Sequence, residues 1–467
     1  MNLKSLLLAP MLALLAACGG GGDDEPTTPT TPTTPPAVTL QSIAVTPANQ
    51  TITAGATLQL VATGTYSDGK SSAIKEGLAW SARGGNVTVA TSGLVTGKTA
   101  GSDTVTATVG SVSGSTNITI TQPWAELFAG GERSILLKKE GSLWAFGSNG
   151  WGQLGDGTTT DRSAPVAVSG GVLTWKQVAV GEFHTLALRG DGTLWAWGFN
   201  QNGQLGIGTT VDRTTPIQVG TGKDWIAIAA GKAHSLAINK GGMLYAWGRN
   251  FNGQLGDATK TDRLVPTRIG AAVNWKSIAA GATHSVGLRT DGTLYTWGDN
   301  AAGQLGTGNT TEQTAPNQIG TSTWVMVAVG TRHSMAIRSD GALFTWGQST
   351  DGQLGHVSLD RLPAQVGTDT NWATMAAGES FTLAVKSNGT LWAWGDNSAG
   401  QLGLGNRTDQ LVPAQVGTST NWRYVAAGWT HALGIQTDNS VWAWGSNSKG
   451  QSGSGNSGDS LSPTMLP

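Results

Sequence analysis

A chain of 467 residues has room for two or more domains. Only 12% of the residues are charged and the formal net charge is −1, which argues against the basic face that nucleic-acid binding needs. A single cysteine excludes a disulfide framework.

The first segment is short and apolar. Lys4, an apolar run from Leu6 to Ala17 and the small pair Ala16-Ala17 describe an export signal. The run is too short to span a bilayer as a mature helix. With Cys18 at the cut site, residues 1–17 resemble a bacterial lipoprotein signal peptide. The resemblance implies lipidation at Cys18. By the same likeness to Gram-negative sorting, Gly19 in place of Asp implies the outer membrane. Residues 18–37, four glycines followed by Pro-Thr repeats, bury no core and read as a disordered, partly extended tether.

Residues 38–122 alternate. Ser42-Ile43-Ala44-Val45, Thr57 to Ala62, Asp103 to Val109 and Thr116 to Ile120 are expected as half-buried strands, with turns at Ser67-Asp68-Gly69 and Arg83-Gly84-Gly85. The pattern predicts an immunoglobulin-like sandwich. Val45-Thr46-Pro47, Trp80-Ser81 and Gly93-Leu94-Val95-Thr96-Gly97 resemble the bacterial immunoglobulin-like group 2 domain. Trp80 is expected in its core, and the domain as a spacer.

Residues 123–467 repeat one phrase seven times at intervals of 48 to 51 residues: an aromatic-Gly pair, a loop, then Gly-Gln-Leu-Gly. The aromatic positions are Phe146, Trp197, Trp247, Trp297, Trp346, Trp394 and Trp444, and the last copy carries Ser452 in place of Leu. A period of this size marks a propeller or solenoid. In the second copy the strands are expected at Trp175 to Gly181, His184 to Leu188, Thr193 to Gly198 and Pro216 to Val219, with a hairpin at Asp191-Gly192. Four antiparallel strands make one blade. A proline is expected to open each fourth strand, where an outer edge tolerates a missing N–H. The last, Pro463 to Pro467, is expected to be truncated. Small first-strand residues suit the crowded axis, and third-strand tryptophans suit the gaps between blades. The fold class is therefore all-β, a sandwich followed by a closed seven-bladed propeller. The motifs Gly-x-x-His, Asp-Gly-x-Leu-Trp-x-Trp-Gly and Gly-Gln-Leu-Gly resemble the regulator of chromosome condensation repeat family, which implies that same propeller. Its founding member is a nucleotide exchange factor that binds chromatin. A secreted bacterial relative inhibits β-lactamase. A fold hosts many functions, so neither activity transfers by itself.

Residues that recur in every copy are expected to build the scaffold. His184, His234, His284, His333 and His431 recur once per blade and are expected to hydrogen-bond inside their blades; His356 lies in a loop. Asp161-Arg162, Asp212-Arg213, Asp262-Arg263 and Asp360-Arg361 are expected to fix the long loops. No nucleophile elbow, zinc motif or phosphate loop is present, so neither an enzyme nor a cofactor or metal is expected. Function is expected where the copies differ. Strand direction puts the Gly-x-x-His turns and the loops after the third strands on one face. Its odd large residues are Trp151, Phe183, Phe199, Arg249, Phe251, Arg332 and Trp429. Aromatic residues and arginine anchor protein interfaces. The expected function is a monomeric, lipid-anchored binding protein of the cell envelope with an unidentified protein partner and no nucleic acid. The alternatives are an inhibitor of a secreted enzyme, and an enzyme or lectin acting on a surface polysaccharide.

Overall fold

The computed structural model describes residues 37–99, 101–121, 123–172, 174–357 and 361–466. The export signal, Cys18, nearly all of the tether and Asp360 lie outside them. Among the described residues every regular element is a β-strand.

Residues 40–121 form three small sheets around one core. Leu40–Thr46, Val61–Tyr66 and Ser71–Ala73 make the first; Gln50–Thr53, Val112–Thr121, Gly101–Val109 and Ala79–Ala82 make the second; Thr57–Gln59, Leu94–Gly97 and Val87–Val89 make the third. Alternation sends Val105, Ala107, Ile118 and Ile120 inward, where they meet Ile43, Val45 and Leu60. Trp80 packs half-buried against this core. The run from Thr57 to Ala62, expected as one strand, is two. It breaks at Leu60, whose amide donates to Gly93 at 3.0 Å before the chain crosses to the first sheet. Asp103 is the one inward carboxylate of its strand. It accepts from the amides of Arg83, Gly84, Asn86 and Val87 at 2.5 to 3.2 Å, so it replaces water for an otherwise unpaired turn.

Seven four-stranded antiparallel sheets follow, each with its strands in chain order. Blade 2 consists of Trp175–Val180, His184–Arg189, Leu194–Gly198 and Arg213–Gln218. Blade 1 runs from Trp124–Gly130 to Arg162–Ala167, and blade 7 from Trp422–Ala427 to Ser460–Met465. The ring is closed. Trp124, Leu136 and Phe146 of blade 1 share a core with Leu433, Val441 and Leu466 of blade 7, and Trp429 donates its amide to the Gly131 carbonyl at 2.9 Å. Two expectations are corrected. In all blades but the fifth, the fourth strand begins three residues before its proline. The ladder bulges there, between Ala196 and Gly198 in blade 2, so no N–H is needed at Pro216. The last strand, Ser460–Met465, has six residues, as in every other blade but the fifth.

The Gly-Gln-Leu-Gly phrase joins blades. Both glycines adopt φ between 69° and 80° in every copy, a region glycine enters without strain. A Cβ on the second would meet the aromatic ring of the next blade; at Gly206 it would lie 2.7 Å from Trp247 Nε1. The glutamine carbonyl accepts that indole N–H, as Gln204 does from Trp247 at 2.9 Å. Trp197, Trp247, Trp297, Trp346, Trp394 and Trp444 are completely buried in this way. Each gains roughly 5 kcal/mol of transfer free energy at most.

The repeated histidines also act between blades, not within one. His184 Nε2 lies 2.9 Å from Ser235 Oγ of blade 3; His234 meets Ser285, His284 meets Ser334, His333 meets Thr382 and His431 meets Ser134. Each hydroxyl gives its proton to the glutamine carbonyl of the preceding blade, as Ser235 does to Gln204 at 2.7 Å. Nε2 must therefore be the donor. Nδ1 makes no hydrogen bond and faces the glycine of its own Gly-x-x-His turn, where a Cβ at Gly181 would lie 2.7 Å away.

The sixth interface lacks both partners together: Phe381 replaces the histidine and Ala432 the hydroxyl, and both are fully buried. Installing the pair gives a thermodynamic cycle. Phe381→His alone buries an imidazole N–H opposite a methyl group and is expected to cost about 1–3 kcal/mol. Adding Ala432→Ser supplies its acceptor. The double variant is expected to recover at least about 1 kcal/mol over the sum of the singles in thermal unfolding. Strictly additive values would contradict the pairing.

Candidate binding face

Backbone hydrogen bonds order one end of the propeller into rings. The first residue after each turn glycine is innermost: Gly131, Glu182, Lys232, Ala282, Thr331, Glu379 and Trp429. Most of these ring an axial cavity of about 120 Å³, walled by the small first-strand residues. The second residue forms a middle ring: Glu132, Phe183, Ala233, Thr283, Arg332, Ser380 and Thr430. Each carbonyl there accepts from the residue leaving the third strand, as Phe183 does from Phe199 at 2.9 Å and Ser380 from Asp396 at 3.0 Å. That third ring is Ser148, Phe199, Arg249, Asp299, Gln348, Asp396 and Ser446.

Four of the seven residues singled out from the sequence form one run. Trp429 lies edge-on to Phe183 with ring centroids 5.9 Å apart, Phe183 is 6.2 Å from Phe199, and Phe199 is 4.8 Å from Trp151. The run starts at the axial mouth and passes over blades 7, 1 and 2. Gly131 makes it possible. With φ of 57° and no side chain, it leaves Trp429 free to reach across blade 1. Trp151 is 45% exposed, while Phe183, Phe199 and Trp429 are half-buried. Phe251, Arg249 and Arg332 are exposed on the same end but stand apart from this run. Sequence reasoning gave no weight to Glu182, Lys232 and Glu379, the charged members of the innermost ring. Their signal was available: three charges at one repeat position that is otherwise small, apart from Trp429.

Glu182 is buried and bridges to Lys232 Nζ at 3.0 Å. Desolvation holds its carboxyl above the usual carboxylate range, and Lys232 opposes the shift. Desolvation and then Asp396 likewise raise Glu379. Beneath the mouth Arg133 fills the blade 1 histidine position and donates to the Glu182 and His184 carbonyls, both at 2.6 Å.

The repeated aspartates and arginines of the long loops serve the scaffold. Asp161, Asp212, Asp262, Asp409 and Asp459 accept from the amide of the loop asparagine, as expected of loop-fixing residues. Arg162 and Arg263 pair not with their neighbours but with Asp156 and Asp257, both at 2.7 Å. His356 bonds to Thr345. At the far end Arg189 stacks 3.6 Å over Trp195, and Lys386 lies 3.9 Å over Trp392. Among the described residues no three His, Cys, Asp or Glu side chains gather to hold a metal.

The family comparisons match the regulator of chromosome condensation (RCC1) repeat at residues 140–188, 191–238 and 241–288, an RCC1-like domain at 271–467, and a bacterial Ig-like domain (group 2) at 39–120. Among curated proteins, the chain is 54% identical over 84 residues to Ice-binding protein 1 of Shewanella frigidimarina, covering 18% of this chain and 9% of that one. It is 37% identical over 93 residues to the Ultraviolet-B receptor UVR8 of Arabidopsis thaliana, covering 19% and 21%. It is 41% identical over 90 residues to Protein RCC2 of Homo sapiens, covering 18% and 17%. The chain thus spans only about a tenth to a fifth of the length of these relatives. Among solved structures, Prp20p from Saccharomyces cerevisiae superposes with a TM-score of 0.65 at 23% identity, over 71% of this chain and 87% of that one. Human WBSCR16 superposes with a TM-score of 0.63 at 22% identity, over 70% and 94%. These likenesses establish the fold. The chain belongs to the regulator of chromosome condensation (RCC1) repeat family, its propeller preceded by a bacterial Ig-like domain of group 2.

Proposed function

We propose that this chain is an exported, lipid-anchored bacterial binding protein that holds a protein partner on the inner rings of its propeller. The observation that carries the proposal is the run Trp429–Phe183–Phe199–Trp151, half-buried at its inner members and exposed at Trp151, on a scaffold whose recurring histidines, hydroxyls and glutamine carbonyls hydrogen-bond between blades. Clustered aromatics, partly buried and so held in place on a rigid frame, supply contact area at little entropic cost. Protein binding by Prp20p, described for Gsp1p and histones, is compatible with such use of a propeller. Inhibition of a secreted enzyme is a special case of this reading. No catalytic role is proposed.

A photo-cross-linking residue at position 151 is expected to capture a partner from the cell envelope, while the same residue at position 265, on the outer edge of blade 3, captures none. The variant Trp151→Ala/Phe199→Ala is expected to lose that partner, and Phe251→Ala to keep it. A partner retained by the first variant rules out this face. The anchor has its own test: Cys18→Ser should release the protein from membranes, and unchanged membrane association would refute lipidation.

A further inference from the structure

Carboxylates flank the aromatic run over blades 7, 1 and 2: Glu132 and Glu182 belong to blades 1 and 2 themselves, and Glu379 and Asp396 to the adjoining blade 6. In the three inner rings the carboxylates are Glu132, Glu182, Asp299, Glu379 and Asp396, against the cations Lys232, Arg249 and Arg332. Asp351, in the blade 5 loop, acts on Glu379 as well. Lys232 is the only cation of the innermost ring, and two carboxylates draw on it: Glu182 in direct contact and Glu379 from across the mouth. Arg249 and Arg332 lie farther from the axis. Buried Arg133 offsets Glu182 from below without reaching the surface. Of the two carboxylates at the mouth, Glu182 thus has a cation in contact, whereas Glu379 makes no ion pair of its own among the described residues.

Three features meet at this point. The axial cavity of about 120 Å³ admits one side chain. Its wall is glycine, alanine and valine, so backbone carbonyls are close to anything that enters. Trp429 belongs both to its rim and to the aromatic run. A partner segment lying on the run is thus led to the mouth.

We propose that the partner inserts a basic side chain, arginine or lysine, into the axial mouth between Trp429 and the carboxylates of Glu182 and Glu379, with its apolar neighbours resting on Phe183, Phe199 and Trp151. This rests on the face being the protein-binding surface proposed above. The chemistry is complementary at each contact. A guanidinium stacks on an indole face and donates to two carboxylates in its plane. Charge pairs in a half-desolvated mouth are stronger than at an open surface and steer the approach.

The probe is a phage-displayed library of random twelve-residue peptides selected against the full chain. Enriched peptides are expected to carry arginine or lysine beside aromatic or aliphatic residues. Replacing that arginine by citrulline, or that lysine by norleucine, should weaken binding about tenfold or more. Glu182→Gln/Glu379→Gln should cause a similar loss, and the two changes together little more than either alone. Glu379→Gln alone, at an exposed position, serves if the double variant does not fold. Peptides that ignore these glutamines but are lost with Trp151→Ala/Phe199→Ala overturn this inference and leave the binding face standing. Peptides indifferent to both sets, or a selection that enriches none, count against both. Capture of neutral oligosaccharides with no basic peptide enriched would also overturn it.

Discussion

Between about pH 7 and about pH 5 the propeller is expected to lose roughly 10 kcal/mol of stability and unfold, driven by its five inter-blade histidines. Burial pulls His184, His234, His333 and His431 down to about 3 and His284 to about 4, from an ordinary value of 6.5. Each already donates from Nε2, and a second proton on Nδ1 would place an unsolvated charge against the turn glycine. The folded values lie below the unfolded one, so the unfolded chain takes up protons first. The stabilisation is complete above about pH 6.5 and falls as the pH drops toward the folded values. At pH 5 each histidine accounts for about 2 kcal/mol. That sum is comparable with the whole stability of a typical domain. Glu182 and Glu379, held above their ordinary range, act with the opposite sign but are fewer. Asp156 and Asp257, held below theirs, add to the loss at more acidic pH. The check is the number of protons taken up on unfolding near pH 5, to which the five histidines should contribute nearly five, less what Glu182 and Glu379 release. A stability that stays flat from pH 7 to pH 5 contradicts the neutral staples.

The same histidines mark how far the sequence could be read. Period and strand pattern were legible because each blade is local: its four strands follow one another, and alternation reports which residues face inward. What the histidines bond to was not legible, because His431 and Ser134 lie 297 residues apart and the contact exists only once the ring closes. Matched loss of Phe381 and Ala432 was a covert signal of the pairing, visible only to a reader comparing adjacent blades. The face behaved similarly. Strand direction placed the odd aromatics on one end, yet which of them touch depends on Gly131 being too small to separate Trp429 from Phe183. Phe251 lies in the corresponding loop of blade 3 but one position earlier, three residues after Gly248 where Trp151 is four after Gly147, and it meets no ring partner. The charged mouth went unseen because single charges scattered over three blades look like solvated surface until the axis gathers them.

Arg133→Ala is expected to destabilise the propeller by roughly 4 kcal/mol, whereas Arg133→His should cost less than about 2 kcal/mol. Arg133 occupies the histidine position of blade 1 and is completely buried. Its guanidinium serves the carbonyls of Glu182 and His184 and approaches Thr185 Oγ1 at 3.4 Å. Burial pulls it down to about 9, with Glu182 pulling the other way, so it stays a cation at neutral pH. Alanine strands the Glu182 carbonyl, leaves the His184 carbonyl with the Gly181 amide at 2.9 Å as its remaining donor, and opens a hole at the interface where blade 1 must hold blade 2. Histidine restores the arrangement used elsewhere. Thr185 already donates to the Gln153 carbonyl at 3.0 Å, as Thr382 does to Gln353, and Thr382 accepts from His333 at 3.2 Å. An imidazole at position 133 finds the same acceptor waiting. Chemical denaturation of the two variants separates the cases. Equal losses for alanine and histidine would mean that Arg133 is not a substituted staple but has a separate role, and the interface between blades 1 and 2 would need another explanation.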